Sequence, residues 1–212
     1  MAFFLATTFR LHPLIAKAVS RLQYEGRLQS DARCSKRHLQ DVDPGIHVID
    51  VEHLGNTVTS IEEADELLAR IPNLLGKAWT PVGGDGNPTD SRALTQKDIL
   101  VVTGYNAQVR YLKARLRDAG LTDIRVGTVD KFQGLESPVV ILSLTASSSE
   151  DVPRGMDFLY STNRFNVAVS RAKTLCIVVG SPRLLAARCN SVRQLQLVNV
   201  LCRYVQMAKR WV

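Results

Sequence analysis

Asn163-Arg164-Phe165-Asn166-Val167-Ala168-Val169-Ser170-Arg171-Ala172-Lys173, followed at once by Thr174-Leu175-Cys176-Ile177-Val178-Val179-Gly180, is the stretch that decides the fold. In its first half, Phe165, Ala168, Val169 and Ala172 recur at i, i+3, i+4 and i+7 and predict one apolar helix face. Arg164 and Arg171, seven residues apart, are expected to stack along one edge of that face. The second half is rich in β-branched residues and does not alternate with polar ones, the pattern of a strand covered on both sides. A helix running into such a strand fixes two guanidinium groups at the rim of a sheet. Guanidinium is permanently charged and forked to match phosphate oxygens. An ordinary solvated helix face would carry the same arginines, so the neighbouring stretches must decide.

The 212 residues suit one domain or slightly more, and 45% hydrophobic with 22% charged residues suffices for a buried core. The formal net charge of +7 and the isoelectric point near 9.5 favour a polyanionic partner. The charge is uneven. From Arg154 onward there are ten cations (Arg154, Arg164, Arg171, Lys173, Arg183, Arg188, Arg193, Arg203, Lys209 and Arg210) against one anion, Asp157. Such a basic C-terminal third fits nucleic-acid backbone binding. Cys34, Cys176, Cys189 and Cys202 show neither C-x-x-C pairing nor disulfide-like spacing. Cys34 and His38 lack a second ligand pair, so no metal site is expected. A reducing, cytoplasmic setting is expected. Met1–Leu5 is too short for a signal sequence or a span, and no membrane partner is expected.

Along the chain, the apolar run Phe3–Leu5 reads as a strand remnant, and Pro13 opens a helix through Leu14–Tyr24 that Gly26 ends. Residues 29–45 read as a polar loop and Ile46–Leu54 as a strand. Ser60-Ile61-Glu62-Glu63 has the form of a capping box that starts a helix through Leu67, Leu68 and Ile71. Residues 76–95 read as a surface loop rich in Gly, Pro, Asp and Asn. From Ile99 the pattern is strand (99–102), helix (106–119, capped by Asn106), strand (124–129), strand (139–144), loop (147–155), the opening helix and its strand, and then two helices near 182–188 and 192–208. Alternating strands and helices predict a parallel, helix-covered α/β sheet. Three segments are delimited: residues 1–30 as an N-terminal segment, 31–98 as a connecting strand, helix and loop, and 99–212 as the core.

Three further stretches sit at strand ends, where open α/β sheets bind ligands. Thr103-Gly104-Tyr105-Asn106-Ala107-Gln108 follows a strand directly. Thr128-Val129-Asp130-Lys131-Phe132-Gln133-Gly134-Leu135-Glu136 places Thr128, Asp130, Gln133 and Glu136 between two buried strands, where packing alone does not require them. Gly134 permits close backbone approach to a ligand, and Glu136 is placed to accept a hydrogen bond from a ribose hydroxyl. Phe9-Arg10 with His12-Pro13 sets an aromatic beside an arginine at a helix mouth, suited to stack a base and meet a phosphate.

Together these residues resemble the second RecA-like motor domain of superfamily 1 helicases, in the branch that translocates 5′→3′. Thr8-Phe9-Arg10-Leu11-His12-Pro13 resembles that branch's aromatic-Arg-x-His-Pro motif. Thr103–Gln108 resembles motif IV, Thr128–Glu136 motif V and Asn163–Lys173 motif VI. The likeness runs from Phe3 to about Ala208 and extends to bacterial helicases fused to a RecB-like nuclease. It implies ATP with Mg²⁺ as cofactor, with Arg10 and Arg171 as catalytic fingers toward the γ-phosphate. It places Phe9 on adenine, Gly134 near the phosphates, Glu136 on the ribose and Arg164 among the nucleotide contacts. Thr128 and Asp130, with Thr103, would touch or position single-stranded nucleic acid, with DNA ranked ahead of RNA. The chain departs from the pattern at Gly104, where motif IV usually has proline, and at Asn163, often arginine.

The phosphate-gripping pattern G-x-x-x-x-G-K-[ST] is absent, and no Asp-Glu pair follows an apolar strand. Asp65-Glu66 lies within a predicted helix. The expected fold is therefore a RecA-like parallel sheet flanked by helices but lacking the P-loop half. The expected partner is a first RecA-like domain, in cis or in trans, that carries the P-loop and metal ligands. The chain is read as a fragment, a truncated product or a split subunit, inactive alone. The competing reading is a non-catalytic nucleic-acid-binding or partner-docking module derived from a helicase. No Ser-His-Asp or Cys-His arrangement at strand ends supports another chemistry.

Overall fold

Runs of Ile, Val and Leu, backed on both faces by amphipathic helices, build the parallel sheet that the pattern predicts. The computed structural model describes residues 4–211. Its first half contains β1 (Thr7–Thr8), α1 (Pro13–Gln23), β2 (Gln29–Ser30), β3 (His38–Leu39), β4 (Gly45–Asp50), α2 (Ile61–Arg70), β5 (Ala78–Thr80) and β6 (Arg92–Ala93). The second half contains β7 (Ile99–Thr103), α3 (Asn106–Asp118), β8 (Arg125–Thr128), β9 (Ser137–Ser143), α4 (Met156–Leu159), α5 (Thr162–Val169), β10 (Ala172–Gly180), α6 (Val192–Met207) and β11 (Lys209–Arg210). The six-stranded main sheet has the order β11-β4-β10-β9-β7-β8, and every neighbouring pair is parallel. Among the described residues no helix is long and apolar enough to cross a membrane.

The two-fold pleat explains why the strands do not alternate with polar residues. Leu100, Val102, Val140, Leu142, Cys176 and Val178 face a core shared with α1, α5 and α6. Val101, Ile141, Ile177 and Val179 face a second core with Leu67 of α2 and Leu112 and Leu116 of α3. Successive side chains enter opposite layers, so each position must be apolar. Pro13 at the first turn of α1 and Ser60 as cap of α2 act as expected, with Ser60 Oγ accepting from Glu63 N at 3.1 Å. Pro138 is the second residue of β9.

The deciding stretch folds differently at its centre. The α5 helix ends at Val169, Ser170 is its C-cap, and Ala172 is the buried first residue of β10 rather than the last of a helical stripe. Parallel pairing of Ala172 with Ser137, with Ser137 N donating to Arg171 O at 3.0 Å, claims that backbone for the sheet. Arg171 therefore lies at the helix–strand junction and does not stack on α5 with Arg164. Tyr105, not Asn106, is the N-cap of α3. The polar loop expected at 29–45 contains β2 and β3, and the loop at 76–95 contains β5 and β6. The strands β3, β5 and β6 form a small antiparallel sheet around buried Trp79. Of the apolar run Phe3–Leu5, Phe3 lies outside the described residues, while Phe4 and Leu5 are exposed and not in a strand. The helix expected near 182–188 is a five-residue 3-10 turn, Pro182–Ala186.

The capping box is half formed. Glu63 does not reach back to Ser60; its carboxylate is fully buried and accepts from Thr145 N at 2.9 and 3.0 Å and from Ser143 Oγ at 2.6 Å, with His53 Nε2 at 3.2 Å. Burial pushes the Glu63 carboxyl up, against the hydrogen bonds from His53, Ser143 and Thr145. These contacts hold Thr145 at φ +75°, a conformation costly for a β-branched residue. Removing one acceptor from a buried, hydrogen-bonded carboxylate leaves a donor stranded. Glu63→Gln is thus expected to lower stability by about 3 kcal/mol in urea titrations; a loss within measurement error would contradict this role.

Candidate functional site

Arg10 and Glu136 lie 126 positions apart in sequence and form an ion pair, Nε to Oε2 at 2.7 Å. The segment before α1 makes this possible: His12 N donates to Lys173 O at 2.9 Å and lays the chain beside the start of β10. Arg37 ties it down, Nη2 donating to Phe9 O at 2.9 Å and Nη1 to Arg10 O. His12 closes the first turn of α1, its Nδ1 accepting from Leu14 N at 3.3 Å. Arg10 Nη1 also donates to Ser170 O at 3.3 Å. Lys173 Nζ meets the other Glu136 oxygen, Oε1, at 2.7 Å. Arg171 completes the cluster. Its Nε donates to Val167 O at 3.0 Å and its Nη1 to Leu135 O at 3.2 Å.

Three cations thus surround one carboxylate on a partly exposed rim. Partial burial pushes the Glu136 carboxyl up, but the hydrogen bonds and charges of Lys173 and Arg10 outweigh it and leave it below the usual glutamate range. Burial, and then the charge of Arg10, lower the Arg171 pKa, with Glu136 opposing. Three cations beside a single carboxylate leave net positive charge on this rim, the electrostatic condition for an anion site.

The candidate residues occupy two opposite rims. Glu136 and Arg171 immediately precede β9 and β10, so their cluster lies at the N-terminal ends of the central strands. Thr103 and Thr128, paired across β7 and β8, lie at the C-terminal ends. Arg164 and Arg171, expected along one edge of a helix face, thus belong to different rims. Arg164, at the start of α5, belongs to the C-terminal rim and not with Arg171. Its Nη2 donates to Asp130 Oδ2 at 3.0 Å and its guanidinium lies 4.4 Å from the Phe158 ring centre. Arg154 stands over the same ring at 4.5 Å, and Tyr105 approaches it at 5.2 Å. Gly104 is close behind, since a Cβ there would lie 3.4 Å from Phe158. Phe158 and Arg154 were not singled out in the sequence; the signal was an aromatic between two arginines just ahead of the α5 cap.

The remaining candidates stand as follows. Thr103 is fully buried and hydrogen-bonds Thr145 Oγ1 at 3.0 Å, so its hydroxyl is part of the interior rather than a surface contact. Thr128 is half-buried at the end of β8, and Asp130 is exposed. Phe9 is 58% exposed with the Arg33 guanidinium 5.2 Å from its ring centre. Gly134 has φ +88° and open space where a Cβ would stand. Among the described residues no group of three or more His, Cys, Asp or Glu side chains could hold a metal ion.

Residues 1–183 match the AAA domain family AAA_12, and the chain belongs to that family. It is 32% identical over 203 residues to DNA polymerase alpha-associated DNA helicase A of Saccharomyces cerevisiae, covering 90% of this chain and 29% of that protein. Over 98 residues, 45% of this chain and 8% of the relative, it is 43% identical to RNA helicase Mov10l1 of Mus musculus. The chain thus spans less than a third of either relative's length. Its fold matches the C-terminal domain of a possible DNA helicase from Lactobacillus plantarum WCFS1, with TM-score 0.50, 13% identity and 96% and 98% of the two chains covered. The molecule is an α/β, RecA-like domain of the superfamily 1 helicase C-terminal type.

Two measurements probe the rim. Gly134→Ala meets no clash, so its cost is that of the left-handed backbone alone, about 1–2 kcal/mol in urea unfolding; a neutral outcome would mean that the turn relaxes. A depressed carboxyl pKa stabilises the fold above the unfolded value, about 4.3, and that contribution is lost as pH falls through the folded value. The stability gap between the wild type and Glu136→Gln is therefore expected at pH 7 and should close in acid. A gap independent of pH would remove the ion-pair interpretation.

Proposed function

We propose that this chain is the C-terminal motor half of an ATP-dependent superfamily 1 helicase, working with a first RecA-like domain supplied in cis or in trans. The observation that carries the reading is the convergence of Arg10, Arg171 and Glu136 from remote parts of the chain onto one cation-rich rim. ATP with Mg²⁺, gripped by the P-loop and metal ligands of the first domain, would supply the driving reaction in the cleft between the two. On this side, Arg171 and Arg10 offer guanidinium donors to the charge that develops on the γ-phosphate oxygens. Phe9 presents an exposed π-face to adenine. Glu136 uses one acceptor position on each oxygen for Arg10 and Lys173, and an ionised carboxylate has about four, so acceptors remain for a ribose hydroxyl. The positive φ of Gly134 turns the backbone on the rim beside these groups.

The opposite rim, with Thr128, Asp130, Arg164 and the Arg154–Phe158 stack, is the proposed track for single-stranded nucleic acid. An aromatic face for bases and guanidinium groups for phosphates are the two components that such binding uses. Arg164 is accordingly assigned to the strand rather than to the nucleotide. The names of the relatives include both DNA and RNA helicases, and both strands belong in the test.

In an assembly that restores the P-loop domain, Arg171→Ala is expected to reduce ATP turnover by a thousandfold or more, on the order reported for arginine fingers, with single-strand binding retained. The isolated chain should hydrolyse no ATP. Turnover unaffected by Arg171→Ala would refute the finger assignment. Salt-sensitive strand binding with no response to ATP in the assembly would favour a non-catalytic binding module.

A further inference from the structure

A broad concavity lies between the two rims, at the edge of the sheet, and Leu135, one of its lining residues, accepts from Arg171 of the N-terminal rim. It is a groove of about 810 Å³ along the outer edge of β8. The strand β8 is the last in the sheet order and pairs only with β7 among the described residues. One wall is α3, which packs on one sheet face with Leu116 and Val126. The other is the segment Lys131–Leu135, whose Phe132 packs on the opposite face. The groove therefore straddles the edge of the sheet, with Arg125 and Val126 of β8 in its lining.

Its lining has a definite chemistry. Leu135, 40% exposed, is the open apolar part of the lining, with Leu116, Leu121, Ile124 and Val126 largely buried beneath it. Arg110, Lys113, Arg117, Arg125 and Lys131 supply five cations against one lining acid, Asp123. Arg117 pairs with Asp118 at 3.5 Å, while the other four have no ion-pair partner among the described residues. Arg125 donates to Lys97 O through Nη2, but its Nε is buried without a hydrogen-bond partner. Charges placed on an edge strand often serve only to prevent pairing with other chains. Here three of the five sit on α3 at Arg110, Lys113 and Arg117, on successive turns facing the groove, where they line a channel instead of blocking the edge.

We propose that this groove binds an extended acidic segment of a partner protein, which adds to β8 as a seventh strand. Main-chain hydrogen bonds to β8 would supply the pairing, alternate apolar side chains would seat on the aliphatic lining, and Asp or Glu at intervening positions would meet the cations. Single-stranded nucleic acid matches the charge but not the aliphatic lining. Its bases need an exposed aromatic face, and Phe132, the one aromatic lining the groove, is 3% exposed.

The test uses a fluorescein-labelled peptide of sequence Glu-Val-Asp-Ile-Glu-Val-Asp with the full chain. The peptide is expected to bind, to slow hydrogen exchange of β8 amides, and to lose at least tenfold in affinity against the double variant Lys113→Glu/Arg117→Glu. Both substitutions lie at exposed positions of α3, and an unchanged melting temperature checks that the fold is kept. The distant double variant Arg188→Glu/Arg193→Glu should bind as the wild type does. A peptide with Lys in place of each acid should not bind. The proposal fails if the acidic peptide does not bind at millimolar concentration, binds both double variants equally, or protects amides elsewhere. It also fails if (dT)20 or (U)20, rather than the peptide, protects β8 and loses affinity against Lys113→Glu/Arg117→Glu.

Discussion

The parallel pairing of β9 with β10 is the constraint on which the site depends. Ser137 opposes Ala172 at the start of both strands, so the residues just upstream, Glu136 and Arg171, become neighbours although they are distant in sequence. The bond from Ser137 N to Arg171 O holds that first pair, and an irregularity between Ala172 and Leu175 separates it from the register of the rest of the two strands. From Leu175 to Val179 the pairing with β9 is regular, and there a shift of one residue would turn each apolar side chain of β10 into the wrong layer, which two separate cores oppose. The rim geometry is therefore held by the most buried part of the molecule rather than by the charges on its surface. Those charges are half exposed, and exposed ion pairs contribute only about 0–1 kcal/mol each. Their arrangement is a consequence of the sheet.

The helix α5 separates the two ends of the sheet. Eight residues long, it spans about 12 Å at the usual helical rise. Arg164 at its start faces Asp130 and Phe158, while Arg171 just past its end faces Glu136 and Arg10. One short element thus connects the cation-rich rim around Glu136 with the rim around Phe158. A rotation or tilt of α5 would move both groups together, which gives coupling between the rims a physical route without requiring a long chain of contacts.

Beneath the C-terminal rim lies the buried polar assembly of Glu63, His53, Ser143 and Thr145, extended by Gln108, which accepts from Ser60 N and donates to Ser143 Oγ. An interior with so many polar groups is stable only when nearly all are satisfied. It fixes where β9 ends and where the loop toward Arg154 departs, through a left-handed threonine that would not hold this shape unaided. Satisfied networks of this kind define a unique geometry at the cost of some stability.

The sequence by itself determined a helix-covered parallel sheet, because its unalternating apolar strands have no other stable environment, and it led to the expectation that Arg10, Glu136 and Arg171 share a rim, where the structure brings them together. Local patterns also located Pro13 and Ser60 correctly at helix starts. It could not determine where α5 yields to β10, since Ala172 satisfies either a helical stripe or a buried strand, and only pairing with Ser137 decides. Nor could it separate Arg164 from Arg171: they look equivalent in sequence, but Arg164 lies at the start of α5 and Arg171 past its end, at opposite ends of the sheet. The burial of Thr103, the capture of Glu63 by Thr145 and the stacking of Phe158 between two arginines all rest on contacts between remote segments. Local periodicity carries no information about such contacts, so the tertiary structure alone decided them.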